Sequence, residues 1–475
     1  MRLVLGAGFA SILERHLEAA TPADLLLWGL VGMTTLDPEL AVMRSGREVA
    51  LRLGDRVLLA RPLPPPAAAE GPAAGGVAAD RLTLFQQAAW GASAAVRGAG
   101  APRLVRATFE AVFAHLDPFS RYVSPEEAQA ARERRTGEAG LGLRLAPGRG
   151  AGTVIAAISP EGPAAAAGLR VGDRVLAIDG IPLRPRDAAA AVGLLEGPEG
   201  SRVVLLVQRG GRRENVVLHR ALPPGQPVTA ERVEDVLVLR IPAFSGHTAR
   251  EAAAALLGAL SQWSPAAILL DLRGNRGGLL GQAAAVADIF LGPGEAFRTL
   301  GRHPEASRVY LTAGGDLAEG RPVVVVVDGR TASSAEIVAA ALGDRGRAAI
   351  AGTATTGKGL VQLVVPLPDG GELLMSWSRL VMPAGWPLQG VGVLPGLCMA
   401  GGAEATARAL AALRAGARPM GPAQSRQRAL RHPVPAEEAE RLRALCPPGE
   451  VAESDLAAVR ALARDEVALA AAIAR

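Results

Sequence analysis

The chain has 475 residues, a formal net charge of +5 and only 3% aromatic residues. Its length allows two or three domains. The arginines are not interleaved with aromatic residues, so we expect no nucleic-acid partner. The sequence has no run of about 18 apolar residues, so we expect no stable insertion in a membrane.

The sequence indicates no role for residues 1–63. Within them, REVALRLGDRVLLARPL predicts a hairpin turning at Gly54 and Asp55. The Pro/Ala/Gly-rich residues 64–78 predict a linker. The first twenty residues form a poor export signal, because charged side chains around Arg15 interrupt the apolar run. Either the start codon is misassigned, or an export signal has been trimmed or lost.

Residues 79–136 predict a helical region that a turn at Pro118 interrupts. Residues 137–222 predict a compact β-rich unit with five strands and a helix near Asp187–Leu195. Within it, GLRVGDRVLAIDG, which begins at Gly168, resembles the turn and strand of a PDZ domain.

That resemblance implies a peptide-binding site in the second predicted unit. Leu141, Gly142 and Leu143 would form the loop whose backbone N–H groups receive the terminal carboxylate of a peptide. The flanking strand and helix would hold the peptide by β-augmentation.

Residues 223–400 alternate between strand and helix patterns, which predicts a largely parallel sheet with helical crossovers. Five consecutive valines, Val323–Val327, predict a strand that is buried on both faces. The Ala- and Arg-rich residues 401–475 predict a helical extension.

A small-residue turn follows the valine strand and leads into a helix near Glu336. A serine between a strand end and a helix start has backbone N–H groups and a positive helix dipole beside it, which suit an oxyanion. Lys358, in Gly-Lys-Gly, is the only lysine. Lysine can act as a neutral base when desolvated, whereas arginine stays protonated.

These residues also have ordinary explanations. A serine at a helix N-cap is usually only a cap, and a lone lysine is usually a solvated surface charge. Asp271 fits a catalytic acid or, better, an anchor for Arg273. The six histidines show no metal-binding spacing, so we expect no metal and no cofactor.

Several motifs in one order nevertheless resemble the carboxyl-terminal processing peptidases, or tail-specific proteases. They are FEAVFAHLDPFSRYVSPEE, the PDZ-like unit, ILLDLRGNRGG, TASSAE, GTATTGKGLVQ and GWPLQGVGVLPG, over about residues 80–400. The resemblance implies an α/β multidomain protein, in which a ClpP/crotonase-like protease core of mixed, largely parallel sheet carries an inserted PDZ domain between helical terminal segments.

The same resemblance implies the catalytic residues Ser333, Lys358 and Gln362, the last orienting the lysine amine. Of the two adjacent serines, Ser333 has the family spacing, 25 residues before the lysine and 11 before Asp344. Lys358 is expected to lie in an apolar pocket that keeps it neutral.

The oxyanion hole would then use the N–H of Ser334 with one from Gly277 or Gly278. The chain departs from the family at Ala335, where a serine is usual, and at Arg276, where a proline is common. An arginine beside the oxyanion glycines is expected to alter substrate choice.

The predicted function is a serine endopeptidase that cleaves proteins near their C-termini. Its partners would be protein or peptide substrates with free apolar C-termini, while a homo-oligomer or a regulatory partner stays open. The alternative is a catalytically silent PDZ scaffold. Cys398 and Cys446 are either a disulfide or two inert thiols; we predict the disulfide and a bacterial periplasmic or envelope location.

Overall fold

The computed structural model describes residues 1–64, 72–128, 141–148, 152–158, 162–184, 191–195, 201–220 and 228–473. Two compact units divide the chain: Met1–Ser124 with Pro227–Arg475, and Pro125–Gln226. Among the described residues, no helix combines the length and the apolar character needed to cross a membrane.

The N-terminal part of the first unit combines helices with short strands. The helices are α1 (Arg2–Arg15), α2 (Pro22–Thr34), α3 (Pro72–Ala92) and α4 (Ala94–Leu116). The strands are β1 (Leu40–Ser45), β2 (Glu48–Leu53), β3 (Arg56–Pro62) and β4 (Arg121–Val123). Strands β2 and β3 pair antiparallel around the predicted turn, so the hairpin is confirmed.

The predicted linker over 64–78 is too long, because α3 already begins at Pro72; residues 65–71 lie outside the described part of the chain. The small residues that suggested a linker serve close helix packing instead. A Cβ on Gly75 would lie 2.2 Å from the Ala10 nitrogen of α1. Since a side chain there would collide with backbone, the glycine lets the two helices touch.

Residues 1–63 are not a separate appendage. Phe9, Leu30 and Phe85 are fully buried in one core with Phe109 of α4. Leu373, from much later in the chain, belongs to the same core. The N-terminal residues therefore fold onto the rest of the first unit.

The second unit is described by itself. Its strands are β5 (Leu143–Pro147), β6 (Thr153–Ile158), β7 (Arg174–Ile178), β8 (Ile181–Pro182), β9 (Arg202–Arg209) and β10 (Arg212–His219). Its helices are α5 (Pro163–Ala166) and α6 (Val192–Leu195). The sheet order is β10-β9-β7-β6-β5, with β8 beside β7.

The five strands predicted in this unit are confirmed, and the unit is wider than the predicted 137–222. Residues 185–190, where the predicted helix begins, lie outside the described residues. Strand β5 is at the edge of the sheet. Because an edge strand has unpaired N–H and C=O groups, it suits the addition of a peptide strand.

The remainder of the first unit contains the other elements. Its strands are β11 (Thr229–Val233), β12 (Val236–Arg240), β13 (Ala267–Asp271), β14 (Gly294–Leu300), β15 (Arg308–Thr312), β16 (Val323–Val327), β17 (Ala349–Gly352), β18 (Leu360–Pro366), β19 (Glu372–Val381) and β20 (Leu397–Cys398). Its α-helices are α7 (Thr248–Gln262), α8 (Leu280–Phe290), α9 (Ser334–Asp344), α10 (Gly402–Arg414), α11 (Gly421–Ala429), α12 (Ala436–Ala444), α13 (Leu456–Ala463) and α14 (Glu466–Ala472).

The central sheet has the order β11-β12-β13-β16-β17-β20. Within this sheet the neighbours β12, β13, β16, β17 and β20 pair in parallel, and β11 pairs antiparallel with β12. The predicted largely parallel sheet is therefore confirmed. The valine strand is fully buried, with Val325 in the core of one sheet face and Val324 in the core of the other.

Helices of the C-terminal extension cover the second face of this sheet. Leu410 of α10 and Val459 of α13 share a core with Val324 and Leu269. The predicted helical extension is therefore packed into the core of the first unit.

A second sheet, which the sequence reading did not predict, has the order β15-β14-β19-β18, with β4 beside β19. Its strands pair antiparallel. The hairpin of β18 and β19 turns through Asp369 and Gly370, a sequence pair typical of hairpins. This sheet matters for the site because Lys358 lies just before β18.

The disulfide is confirmed. Cys398 and Cys446 have their sulfurs 2.02 Å apart and their Cα atoms 5.9 Å apart. The bond joins the last strand of the central sheet to the end of helix α12. It thereby fixes residues 443–453, the C-terminal strap, to the sheet.

Candidate active site

Three turns of the first unit carry the predicted catalytic residues. The glycine turn (272–278) follows β13, the serine turn (328–333) follows β16, and the lysine turn (353–359) lies between β17 and β18. Strands β13, β16 and β17 are parallel neighbours. In open α/β sheets, ligands bind beyond the carboxyl ends of such strands.

The serine turn is held by Asp328. Its Oδ1 accepts hydrogen bonds from the N–H groups of Arg330 and Thr331, both at 2.9 Å, and of Gly274 at 3.0 Å. The last bond ties the serine turn to the glycine turn.

Ser333 ends this turn in a strained conformation. Its φ is +56° and its ψ is −119°, which a residue with a side chain rarely adopts. Such strain costs on the order of 1–3 kcal/mol and persists only where surrounding contacts enforce it. A nucleophilic serine on a sharp strand-to-helix turn is a recurrent arrangement in hydrolases.

Those contacts include a buried carboxylate. Glu336 is fully buried in the first turn of α9. Its Oε2 accepts from the Ser333 N–H at 2.8 Å and the Lys358 N–H at 2.9 Å. Its Oε1 accepts from the Gly357 N–H at 2.7 Å and from the Thr355 hydroxyl. One side chain thus binds the backbone of both predicted catalytic residues.

The charge state of Glu336 reflects two opposed influences. Burial raises its pKa, while the four hydrogen-bond donors favour the ionised carboxylate and limit that rise. From the sequence, Glu336 indicates only the start of a helix. The signal available was the Ser-x-x-Glu pattern of a capping box, which ordinarily means no more than helix stability.

The glycine turn lies against Ser333, since a Cβ on Gly277 would be 2.7 Å from the Ser333 Cβ. The Gly277 N–H is occupied, because it donates to Asn275 Oδ1 at 2.8 Å. Among the described residues, the N–H groups of Gly278 and Ser334 have no hydrogen-bond partner. Arg276 is exposed.

The Ser334 side chain has a structural bond of its own. Its buried hydroxyl donates to the Gly278 carbonyl oxygen at 2.9 Å. Only the backbone of Ser334 was expected to take part in the site, and the structure adds this side-chain bond. The hydroxyl holds the glycine turn beside the start of α9.

We therefore expect Ser334→Ala to reduce kcat modestly, by roughly threefold to tenfold, because one neutral hydrogen bond is lost while the backbone N–H remains. Steady-state kinetics on a peptide substrate measures this. Ser334→Gly, which removes the same hydroxyl, should behave similarly. A complete loss in Ser334→Ala, with Ser333→Ala active, would reverse the nucleophile assignment.

Lys358 lines the lysine pocket, a cavity of about 220 Å³. Its side chain is exposed, so the apolar enclosure expected for it is not present in this structure. Among the described residues, no hydrogen bond joins its ammonium to the Ser333 hydroxyl. Gln362 lines the same pocket, but its Nε2 donates to the Phe119 carbonyl at 2.7 Å rather than contacting the lysine.

Asp271 serves as an anchor. Its carboxylate accepts from Arg273 Nε at 2.9 Å and Nη2 at 2.7 Å. Burial alone would lower the pKa of Arg273, but the bonds to Asp271 outweigh it and raise that pKa. Arg273 also donates to the Val451 carbonyl at 3.0 Å, so this pair links the glycine turn to the C-terminal strap.

The C-terminal strap contacts the other two turns as well. Arg443 donates to the Thr355 carbonyl in the lysine turn at 2.6 Å. The Gly329 N–H of the serine turn donates to the Gly449 carbonyl at 2.8 Å. These bonds brace all three turns from outside the family-like motifs, and no sequence signal indicated them.

A buried polar network supports the wall of the lysine pocket. Asp117 accepts from the Phe119 N–H at 2.7 Å and the Ser376 hydroxyl at 2.9 Å, and it contacts His16 Nε2 at 2.8 Å. Burial alone would raise the pKa of Asp117, but its hydrogen bonds, with that to His16 first, lower it below its usual range.

A carboxyl whose pKa is lower in the folded than in the unfolded chain stabilises the fold above its unfolded pKa, about 3.9. That contribution is lost as the pH falls below about 4 through the lower folded pKa. We expect Asp117→Asn to unfold more easily at pH 7 by about 1–3 kcal/mol. Its unfolding free energy, measured with urea, should also change less between about pH 5 and 3; an unchanged pH slope would contradict this.

Comparisons with known proteins agree on one group. A model described as peptidase family S41 matches residues 235–397, and a PDZ domain model matches residues 154–209. A carboxy-terminal-processing protease of Bartonella bacilliformis is 33% identical over 301 residues, which are 62% of this chain and 69% of that protein. A carboxyl-terminal-processing protease of Synechocystis is 32% identical over 297 residues, 60% and 69% respectively.

A solved structure titled photosystem II D1 C-terminal processing protease shows 28% sequence identity. The match covers 65% of this chain and 87% of that chain, with a TM-score of 0.38. The assignment of this chain to a family rests on its sequence identity to the two bacterial relatives.

Proposed function

The chain belongs to peptidase family S41 as a carboxyl-terminal-processing protease of the serine type, and we propose that Ser333 is its nucleophile and Lys358 its general base. The observation that carries this proposal is the shared carboxylate of Glu336, which binds the backbone N–H of both residues. A common anchor keeps the serine and lysine turns in a fixed relation.

In the proposed reaction, the Ser333 hydroxyl attacks a peptide carbonyl carbon while its proton passes to neutral Lys358. The C–N bond then breaks, and Lys358 returns the proton to the leaving amine. Water hydrolyses the acyl-enzyme and frees Ser333. Lys358 is exposed, so a peptide across the lysine pocket would supply the desolvation that favours its neutral form. Gln362 would then orient the lysine amine from the same pocket.

For the oxyanion, we propose the N–H groups of Ser334 and Gly278. We choose Gly278 over Gly277 because the Gly277 N–H already donates to Asn275. Ser334 also begins α9, whose N-terminal dipole favours negative charge.

A fluorophosphonate probe tests the catalytic assignment, because it reacts covalently with an activated serine. We expect labelling at Ser333, located by peptide mass mapping, together with hydrolysis of a peptide substrate. A silent PDZ scaffold, which the family match does not favour, would show neither. Labelling at Ser334 would reject the assignment within the family.

We further propose that the second unit captures the free C-terminus of a substrate. The supporting features are the PDZ match, the edge position of β5 and the loop before it. Gly142 in that loop has a φ of +67°, in the left-handed region that favours glycine. Substrates would be proteins or peptides with an apolar C-terminal residue.

A peptide with a free apolar C-terminus should bind the separately expressed residues 125–226 more tightly than the same peptide amidated. Amidation removes the charge that the N–H groups of Leu141, Gly142 and Leu143 would receive. Isothermal titration calorimetry should show at least about a tenfold weaker affinity for the amide. Equal affinities would contradict the assignment of this loop.

Membership of this family also bears on the architecture of the core and on the cellular location of the protein. We propose a ClpP/crotonase-like description for the protease core, supported by the parallel order of the central sheet and its helical crossovers. We also propose a location in the bacterial periplasm or envelope. The Cys398–Cys446 disulfide supports it, since such bonds persist in oxidising compartments.

A further inference from the structure

The lysine pocket adjoins a second cavity of about 240 Å³, which we call the side pocket. Phe119, Leu360 and Gln389 line both cavities. Because the two share walls, a peptide held at Lys358 brings a neighbouring side chain to the side pocket.

Segments beyond the family match build much of the side pocket. Glu18 follows helix α1, and Val434 precedes helix α12; both lie outside the matched residues 235–397. The N-terminal segment is fixed there by the Leu17 N–H, which donates to the Ser376 carbonyl at 2.8 Å. The side pocket therefore includes residues that lie outside the family match.

The ionised side chains that line the side pocket each have a partner. Glu18 forms an ion pair with Arg379 of β19. The Glu18 side chain is 49% exposed and the Arg379 side chain is 21% exposed. Burial, and then the nearby Arg379, lower the pKa of His432 and so favour its neutral form. Asp117 is held by His16 and by the hydroxyl of Ser376.

Apolar side chains make up most of the remaining wall, including those of Leu17, Leu360 and Val434. Paired charges beside an apolar wall disfavour a charged guest, because the guest loses hydration and finds no free counter-charge to offset that loss.

We propose that the side pocket binds one substrate side chain beside the scissile bond, and that the Glu18–Arg379 pair makes it select uncharged, apolar residues. This proposal rests on the proposed function, since it takes Lys358 to be at the cleavage site. Glu18 and Arg379 act as specificity-determining residues and have no part in proton transfer.

Removing one partner of the pair should shift specificity in a direction set by the charge that remains. Glu18→Gln leaves Arg379 without this partner and should raise kcat/KM for peptides with Glu beside the scissile bond, relative to Leu, by roughly threefold to fivefold. Arg379→Gln should raise the relative kcat/KM for Lys to a similar extent. A partly exposed charge pair is of the strength that gives such ratios. Peptides varied at each position flanking the scissile bond locate the subsite.

Two further variants sharpen the test. The exchange Glu18→Arg with Arg379→Glu restores a pair and should restore the preference for Leu, which a merely misfolded pocket would not do. Arg408→Gln removes one partner of an exposed ion pair with Glu404 on α10 and should leave every preference unchanged.

The outcomes separate the two proposals. If the wild-type chain cleaves Leu peptides and both single variants keep the Leu preference at every position, the side-pocket proposal is overturned and the catalytic proposal stands. A wild-type chain that cleaves no peptide and resists fluorophosphonate overturns the proposed catalytic residues, and the side pocket with them. Opposite shifts in the two single variants, reversed by the exchange, support the side pocket.

Discussion

Ser333→Ala and Lys358→Arg are each expected to lower kcat/KM for peptide cleavage by more than about 10³-fold. The first variant removes the attacking oxygen. The second keeps the positive charge and much of the side-chain length but replaces a base with a group that stays protonated. Steady-state kinetics and fluorophosphonate labelling measure both losses.

A matched variant separates chemistry from folding at the same position. Ser333→Gly should be as inactive as Ser333→Ala, yet more stable, because glycine adopts a φ of +56° without the cost of a side chain. We expect a difference of about 1 kcal/mol in unfolding free energy. Activity retained by Ser333→Gly, or wild-type turnover by Lys358→Arg, would contradict the proposed mechanism.

Glu336→Gln is expected to lower kcat by roughly 10²-fold, with a smaller change in KM. The amide places an NH₂ group among N–H donors, so at least one bond to Ser333, Gly357 or Lys358 becomes unfavourable. Displacing a catalytic group by about 1 Å produces a loss of this size. The same change should reduce the unfolding free energy by about 1–3 kcal/mol, because buried donors lose their acceptor.

The control for this variant is Glu404→Gln, which removes an exposed glutamate from a surface ion pair. Such pairs contribute about 0–1 kcal/mol, so its kinetics and stability should match the wild type. Glu336→Gln with wild-type kcat would show that the shared carboxylate does not position the dyad.

Much of the central sheet could be predicted because its signals are local. Val323–Val327 is apolar at every position, and both sheet faces bury it. Helix α7, Thr248–Gln262, belongs to the strand and helix alternation predicted over residues 223–400. The second sheet was not predicted, because only its β18–β19 hairpin is local in sequence, while β14 and β4 pair with β19 from distant parts of the chain.

The least predictable features depend on partners distant in the chain. Glu336 reads as an ordinary capping residue until the lysine turn supplies two more N–H donors. The small residues around Gly75 predicted a linker, although they lie in a packed helix, because flexible segments and closely packed helices favour the same small residues. The exposure of Lys358 follows from the three-dimensional arrangement of its neighbours, which no local pattern encodes.

The C-terminal strap also sets an order in time. A ribosome makes Ser333, Lys358 and the glycine turn well before it makes residues 443–453, which brace them through Arg443 and Gly449. Until the strap is synthesised and Cys446 is oxidised, the three turns lack that outer support. A protease with this arrangement therefore completes the bracing of its site only after the three turns themselves have been made.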